Sequence, residues 1–202
     1  VEPGVFMRDI DPLLAQHDLM LGSVPASRAL CTIGGMVGNN SGGEQSLRYG
    51  NTQRWVREIT VVLGDGKAYV VKPLTKRQLD AKIAQDTYEG RLYERIYQLI
   101  EANYDLIKNA RPKVNKNSMG YNLWDVWDRG TQIFDLTHLF SGSQGTLGVI
   151  TDLKMEAVKK PKHSGLLLAY LTSSKHLGEI IPAVMKHQPA TFEGFDDITF
   201  NL

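Results

Sequence analysis

Thr32-Ile33-Gly34-Gly35-Met36-Val37-Gly38-Asn39-Asn40-Ser41-Gly42-Gly43, followed by Arg48-Tyr49-Gly50, is the stretch on which the reading of this chain turns. Five of its first twelve residues are glycine, with Asn and Ser among the rest. Paired glycines allow positive φ and let backbone amides approach another surface without a Cβ in the way. Successive N–H groups arranged in this manner form an anion-binding concavity. Asn39 and Ser41 add neutral hydrogen-bonding side chains. The stretch therefore reads as a loop that cradles a phosphorylated or otherwise polar cofactor. On glycine content alone, a long surface loop is an equally good reading.

Two phosphate-binding patterns are excluded. A P-loop needs G-x-x-x-x-G-K-[ST], and no lysine follows a glycine of this segment. The dinucleotide fingerprint needs G-x-G-x-x-G between a strand and a helix, and here the spacing differs. A long loop with no secondary structure of its own is more often functional than decorative.

The chain of 202 residues has room for one domain, or one domain and part of another. Its 42% hydrophobic and 22% charged residues are ordinary for a globular protein. A net charge of +1 gives no reason to expect nucleic acid as a partner. No apolar run approaches the ~20 residues that span a bilayer, and the start Val1-Glu2-Pro3-Gly4 lacks a signal-peptide pattern. That start reads as the end of a strand, and the chain is expected to be a piece of a longer, cytoplasmic protein. One cysteine, Cys31, excludes an internal disulfide and a Cys-cluster metal site. It reads as a small buried residue beside a turn.

Working outward, Asp11-Pro12 predicts a helix start, with Pro at the first helical position. Val56 to Leu63 and Lys67 to Val71, joined by Gly64-Asp65-Gly66, predict a β-hairpin. An antiparallel pair argues against a purely parallel doubly wound sheet. Thr75-Lys76-Arg77-Gln78 is a capping-box pattern that predicts a helix to about Gln85. A longer helix is expected from Glu89 to Lys108, with Leu92, Ile96, Leu99, Ile100 and Ile107 on its inner face. Two more glycine segments follow, Lys116 to Leu123 and Gly142 to Thr151, with Phe134 to Phe140 between them as a short helix. The third segment leads into a strand to about Val158, and Lys159-Lys160-Pro161-Lys162 reads as a boundary. Beyond it a strand (Gly165–Leu171), a helix (Ser174–His187) and a strand (Ala190–Phe195) are expected.

These glycine segments, in this order, resemble the FAD-linked oxidase family, whose FAD-binding domain is of the vanillyl-alcohol-oxidase or PCMH type. Thr32-Ile33-Gly34-Gly35, Asn39 to Gly43 and Tyr49-Gly50 resemble one FAD-contacting loop of that domain. Lys116 to Leu123 resembles its K-x-x-x-G-Y-x-L segment. Gly142 to Thr151 resembles its G-S-E-G-T-L-G-x-I-T signature, with Gln144 in place of Glu. The nearest branch is that of D-lactate, glycolate and D-2-hydroxyglutarate dehydrogenases. The helical stretch from about 75 to 110 is longer than the family pattern.

The resemblance implies an α+β fold: the second subdomain of the FAD-binding domain over residues 1–160, mainly antiparallel sheet flanked by helices, and the start of a substrate or cap domain over 161–202. It implies FAD as cofactor and hydride transfer from a 2-hydroxy acid to flavin. It also implies an electron-acceptor protein or quinone as a further partner, through which the protein would associate with a membrane. A sugar oxidase, a cell-wall reductase, a non-redox synthase and a non-enzymatic interaction module remain alternatives. Pro25, Thr32, Ile33, Gly34, Gly35, Asn39, Ser41, Gly42, Gly43, Tyr49 and Gly50 are the expected FAD contacts, joined by Gly145, Gly148 and Ile150 near the adenine or ribityl portion. No catalytic or metal-binding residue is assigned, because the resemblance puts those beyond Leu202. The five histidines have no i, i+4 pair and read as surface or core residues. Lys116 reads as an exposed lysine, and Tyr121, Trp124 and Trp127 read as packing groups.

Overall fold

The computed structural model describes residues 1–114 and 117–200; Lys116 therefore lies outside the described residues. In chain order the elements are α1 (Met7–Ala15), β1 (Leu19–Leu21), α2 (Ile33–Gly38), α3 (Ser46–Tyr49), β2 (Val56–Val62) and β3 (Ala68–Val71). Then come β4 (Leu74–Thr75), α4 (Lys76–Ile83), α5 (Tyr88–Ala102), α6 (Tyr104–Asn109), β5 (Trp127–Asp128), β6 (Ile133–Phe134) and α7 (Thr137–Phe140). β7 (Val149–Met155), β8 (Ala157–Lys159), α8 (Leu177–Met185) and α9 (Asp197–Phe200) complete the order. The class is α+β: three small antiparallel sheets with helices packed on them.

The expected hairpin forms the centre. β2 pairs antiparallel with β3 on one side, Ile59 facing Val71, and with β7 on the other, Ile59 facing Leu153. Alternation in β2 puts Ile59 and Val61 in the core, and a register shift between Val56 and Glu58 brings Val56 to the same side. At the turn Gly66 takes φ +78 and its N–H closes on Leu63. The Tyr69 hydroxyl donates to Asp65 across this turn, which pushes the phenol up to about 12. Val1 exchanges both backbone hydrogen bonds with Leu153 and so lies beside β7.

The capping box is present: Thr75 accepts from the Gln78 N–H, and Gln78 accepts from the Thr75 N–H. α4 and α5 cover the sheet β4-β6-β5. There Tyr93, Tyr97, Trp127 and Phe134 form an aromatic cluster with ring centroids 5.5–6.4 Å apart, in tilted and edge-to-face arrangements, the latter a geometry aromatic rings prefer. Trp127 is a packing residue as expected, and its indole N–H donates to Glu101 (2.8 Å).

Several elements differ from the sequence reading. α1 begins at Met7, a turn before Asp11, because Met7 N–H donates to Cys31 and Phe6 bridges Thr32; Pro12 is therefore interior. The long helix breaks at Asn103, which leaves helical geometry at φ −120 and ψ 24, and resumes as α6. Leu99 is exposed, and Tyr93 and Glu89 take buried places instead. Cys31 is only half-buried. Phe134 belongs to β6, so the short helix begins at Thr137. The strand after the third segment ends at Met155, where Glu156 N–H turns to the Trp55 carbonyl, and β8 joins β1 in a separate sheet.

The strands expected at 165–171 and 190–195 are not formed, while α8 forms inside its expected range. An extended segment needs a neighbour to take its N–H and C=O groups. None of the described strands supplies one there, and Leu166, Leu167, Leu168 and Tyr170 are exposed.

Candidate functional site

The first glycine segment is not a loop throughout. Thr32 caps α2, its hydroxyl accepting from Gly35 N–H at 3.1 Å. Gly34, Gly35, Gly38, Gly42 and Gly43 all lack the positive φ expected of them; in this segment Asn40 (φ 47) is the left-handed residue, and Gly50 (φ 70) follows it. Thr32, a strong N-cap, nucleates a helical turn that the glycine count obscured.

Glycine matters here for close approach. A Cβ on Gly34 would stand 2.5 Å from the Pro3 side chain, and one on Gly42 would stand 2.7 Å from Asn51 Oδ1 and Ser46 Oγ. A Cβ on Gly43 would overlap the Val24 carbonyl and crowd Pro25, which is buried beneath it. Gly35 is exposed, with only Thr32 Oγ1 nearby at 3.1 Å.

The amides at the start of α2 are spent within the chain. Ile33 N–H donates to Val5 O (2.9 Å) and Gly34 N–H to Pro3 O (2.8 Å). Gly43 N–H donates to Ser46 Oγ (2.7 Å). Among the described residues the amides of Gly42 and Gly145 donate to nothing. Asn51 Oδ1, beside Gly42, is buried without a partner among the described residues.

The structure brings the three glycine segments together. Gly142 and Gln144 N–H groups donate to Val37 O and Gly38 O, each at 2.9 Å, so the third segment lies across the C-terminal end of α2. Ser118 Oγ reaches Asn40 O (3.4 Å), and Tyr121 OH shares a 2.7 Å hydrogen bond with Thr146, joining the second segment to the other two. Asn51 Nδ2 donates to Asn117 O at 2.6 Å. Beneath them Ser23 and Thr52 hydroxyls both donate to Ser41 O, at 2.8 and 2.7 Å.

Asn39 is exposed and its amide reaches Ser41 Oγ (3.3 Å), so these two side chains face outward together. Tyr49 ends α3, and its carbonyl accepts from the Trp55 indole (2.9 Å) just before Gly50. Gly145 takes φ +78 with open space around it, whereas Gly148 is packed on Val61 and Val62. Ile150 is half-buried opposite Val61 in β7.

The residues that tie the segments were not singled out from the sequence. Asn40 (1% exposed) and Asn122 (3%) are buried, and both donate to Gln53. Asn40 lies inside the quoted stretch, but nothing in spacing separates it from Asn39. Gln53 shares no pattern with either. Asn39, Ser41 and the Gly42 and Gly145 amides are neutral hydrogen-bonding groups with little side-chain bulk, close to the buried Asn51 oxygen, a chemistry that fits an extended polar cofactor.

Residues 1–72 match the FAD binding domain family. D-2-hydroxyglutarate dehydrogenase of Escherichia coli (strain K12) is 28% identical over 202 residues, all of this chain and 20% of that protein. The glycolate oxidase subunit GlcD of Bacillus subtilis (strain 168) is 29% identical over 203 residues, 98% of this chain and 32% of that protein. Among solved structures, an alkyldihydroxyacetonephosphate synthase superposes with a TM-score of 0.45 at 18% identity, over 80% of this chain and 19% of that one. The chain spans about a fifth of the length of the first of these curated relatives. In the described residues no helix is long and apolar enough to cross a membrane. The chain is thus similar to D-2-hydroxyglutarate dehydrogenases and glycolate oxidase subunits, and its residues 1–72 match the FAD binding domain family.

Proposed function

We propose that the intact protein is an FAD-dependent oxidoreductase that oxidises a 2-hydroxy acid of the D-lactate, glycolate or D-2-hydroxyglutarate type. One observation carries the reading: relatives named for that chemistry align with essentially all of this chain; the meeting of its three glycine segments is consistent with it. Bound FAD would accept the α-hydrogen of the substrate as hydride. This chain's part is to hold and orient the cofactor. Asn39, Ser41 and the free amides of Gly42 and Gly145 would hydrogen-bond it. Thr32 and Gly35 would offer close backbone approach, supported from within the chain by Ile33, Gly34 and Gly43, with Tyr49 and Gly50 shaping the wall over the buried Pro25. Gly148 and Ile150 would lie near the adenine or ribityl portion.

In this reading residues 1–160 serve the cofactor and 161–202 open the substrate unit. The further partner in this reading is an electron-acceptor protein or a quinone, and the protein works in the cytoplasm or at a membrane through that partner. The test is a spectrum of the intact protein. A yellow preparation absorbing near 450 nm (roughly, as flavins do) that bleaches anaerobically with one of these hydroxy acids is the expected result. A colourless protein that takes up no added FAD overturns the reading. A yellow protein that none of the three acids bleaches overturns the substrate assignment.

A further inference from the structure

Between the glycine segments and the helical stretch lies a chain of hydrogen bonds with one branching point. Gln53 stands in the 3-10 turn Thr52–Trp55, directly before the central strand β2. Its Oε1 accepts from Asn40 Nδ2 (2.9 Å), in the first glycine segment, and from Asn122 Nδ2 (2.5 Å), in the second. Its backbone N–H donates to Asn40 Oδ1 at 3.0 Å. On the far side, Gln53 Nε2 donates to Asp125 Oδ2 (3.1 Å), and Asp125 Oδ1 faces Arg111 Nη1 (3.4 Å) beyond the end of α6.

Each direction in this chain is determined. Asp125 carries acceptors only, so Gln53 must present its NH2 to it and its carbonyl to both asparagines. Asn40 and Asn122 are buried, so an acceptor lost at Gln53 leaves two amides unpaired, which is costly in a water-poor site.

We propose that Gln53 is a positioning residue for the cofactor: it sets the distance between the first and second glycine segments, with Asp125 and Arg111 holding its amide in the required orientation. The third segment follows, because Gly142 and Gln144 hang on α2 and Thr146 on Tyr121. The proposal rests on the FAD-site reading above. Gln53 itself touches no cofactor in this scheme; it acts through Asn40 and Asn122.

The directionality supplies the test. In the intact protein, Gln53→Glu keeps the two accepting contacts but sets a carboxylate against Asp125. Asp125→Asn added to it restores a donor on that side, since the new Nδ2 replaces Oδ2 towards residue 53 while Oδ1 still faces Arg111. FAD dissociation constants and the visible circular dichroism of bound flavin are measured for wild type, single and double variants, with apoprotein melting temperatures alongside. Gln53→Glu is expected to weaken FAD about tenfold and alter the flavin dichroism, and the double variant to return both to within about threefold of wild type.

Unchanged affinity in Gln53→Glu overturns the proposal. So does a double variant that regains its melting temperature but not its FAD affinity, which would make the residue merely structural. If Gln53→Glu does not fold, the double variant decides alone: near-wild-type affinity upholds the proposal and lost affinity overturns it. Failure of the wild-type protein to bind FAD is read before any substitution, and it counts against the FAD-site reading itself.

Discussion

Glycine has two different jobs in the quoted stretch, and the surroundings of each residue separate them. Gly43 is glycine because the Val24 carbonyl occupies the place of its Cβ. Gly43→Ala must move backbone, and is expected to cost on the order of 1–3 kcal/mol, the range for overpacking, seen as a lower urea midpoint. Gly35 is exposed, with no backbone atom in the way. Gly35→Val is therefore expected to leave the circular dichroism and the hairpin intact yet abolish FAD retention in the intact protein, by filling the space through which the backbone approaches the cofactor. Stoichiometric FAD in a folded Gly35→Val protein would remove the start of α2 from the site. The glycine-rich wording was legible in the sequence; which glycine faces a neighbour and which faces solvent was not. Asn39 and Asn40 make the same point, adjacent and chemically identical, one exposed and one buried against Gln53.

At the scale of elements, local chemistry was legible wherever it was self-contained. The hairpin at Gly64-Asp65-Gly66 and the capping box at Thr75 form as read, since each closes its hydrogen bonds within a few residues. Thr75→Ala should remove one N-cap and destabilise by ~1 kcal/mol, measured by denaturant unfolding with an unchanged m-value. Elements whose ends depend on distant partners were misread. α1 starts early because Cys31 and Thr32 receive it. The long helix breaks for a local reason instead: the Asn103 side chain folds back on the Leu99 carbonyl at 2.9 Å. The strands expected at 165–171 and 190–195 fail for the opposite reason, since no described strand meets them.

The whole molecule is unevenly consolidated. Ile59, Val61 and Leu153 are fully covered at the junction of β2 and β7, whereas residues 161–171 run exposed along their whole length. Hydrogen exchange on the 202-residue chain is expected to follow this: amides of Ile59, Val61 and Leu153 protected longest, those of 163–171 exchanging within the dead time. Protection of 163–171 comparable to β2 would contradict the fold described. The sequence by itself determined the α+β class, the hairpin, the capped helix and, through three ordered glycine segments, the family that the chain resembles, because those signals are local or lie in linear order. Only the tertiary structure decided that the segments meet, and that Gln53, Asn40 and Asn122 join them. It also decided that the first amides of α2 are already taken by Pro3 and Val5. A buried hydrogen bond is made between groups far apart in the chain, and spacing along the sequence carries no record of who the partner is.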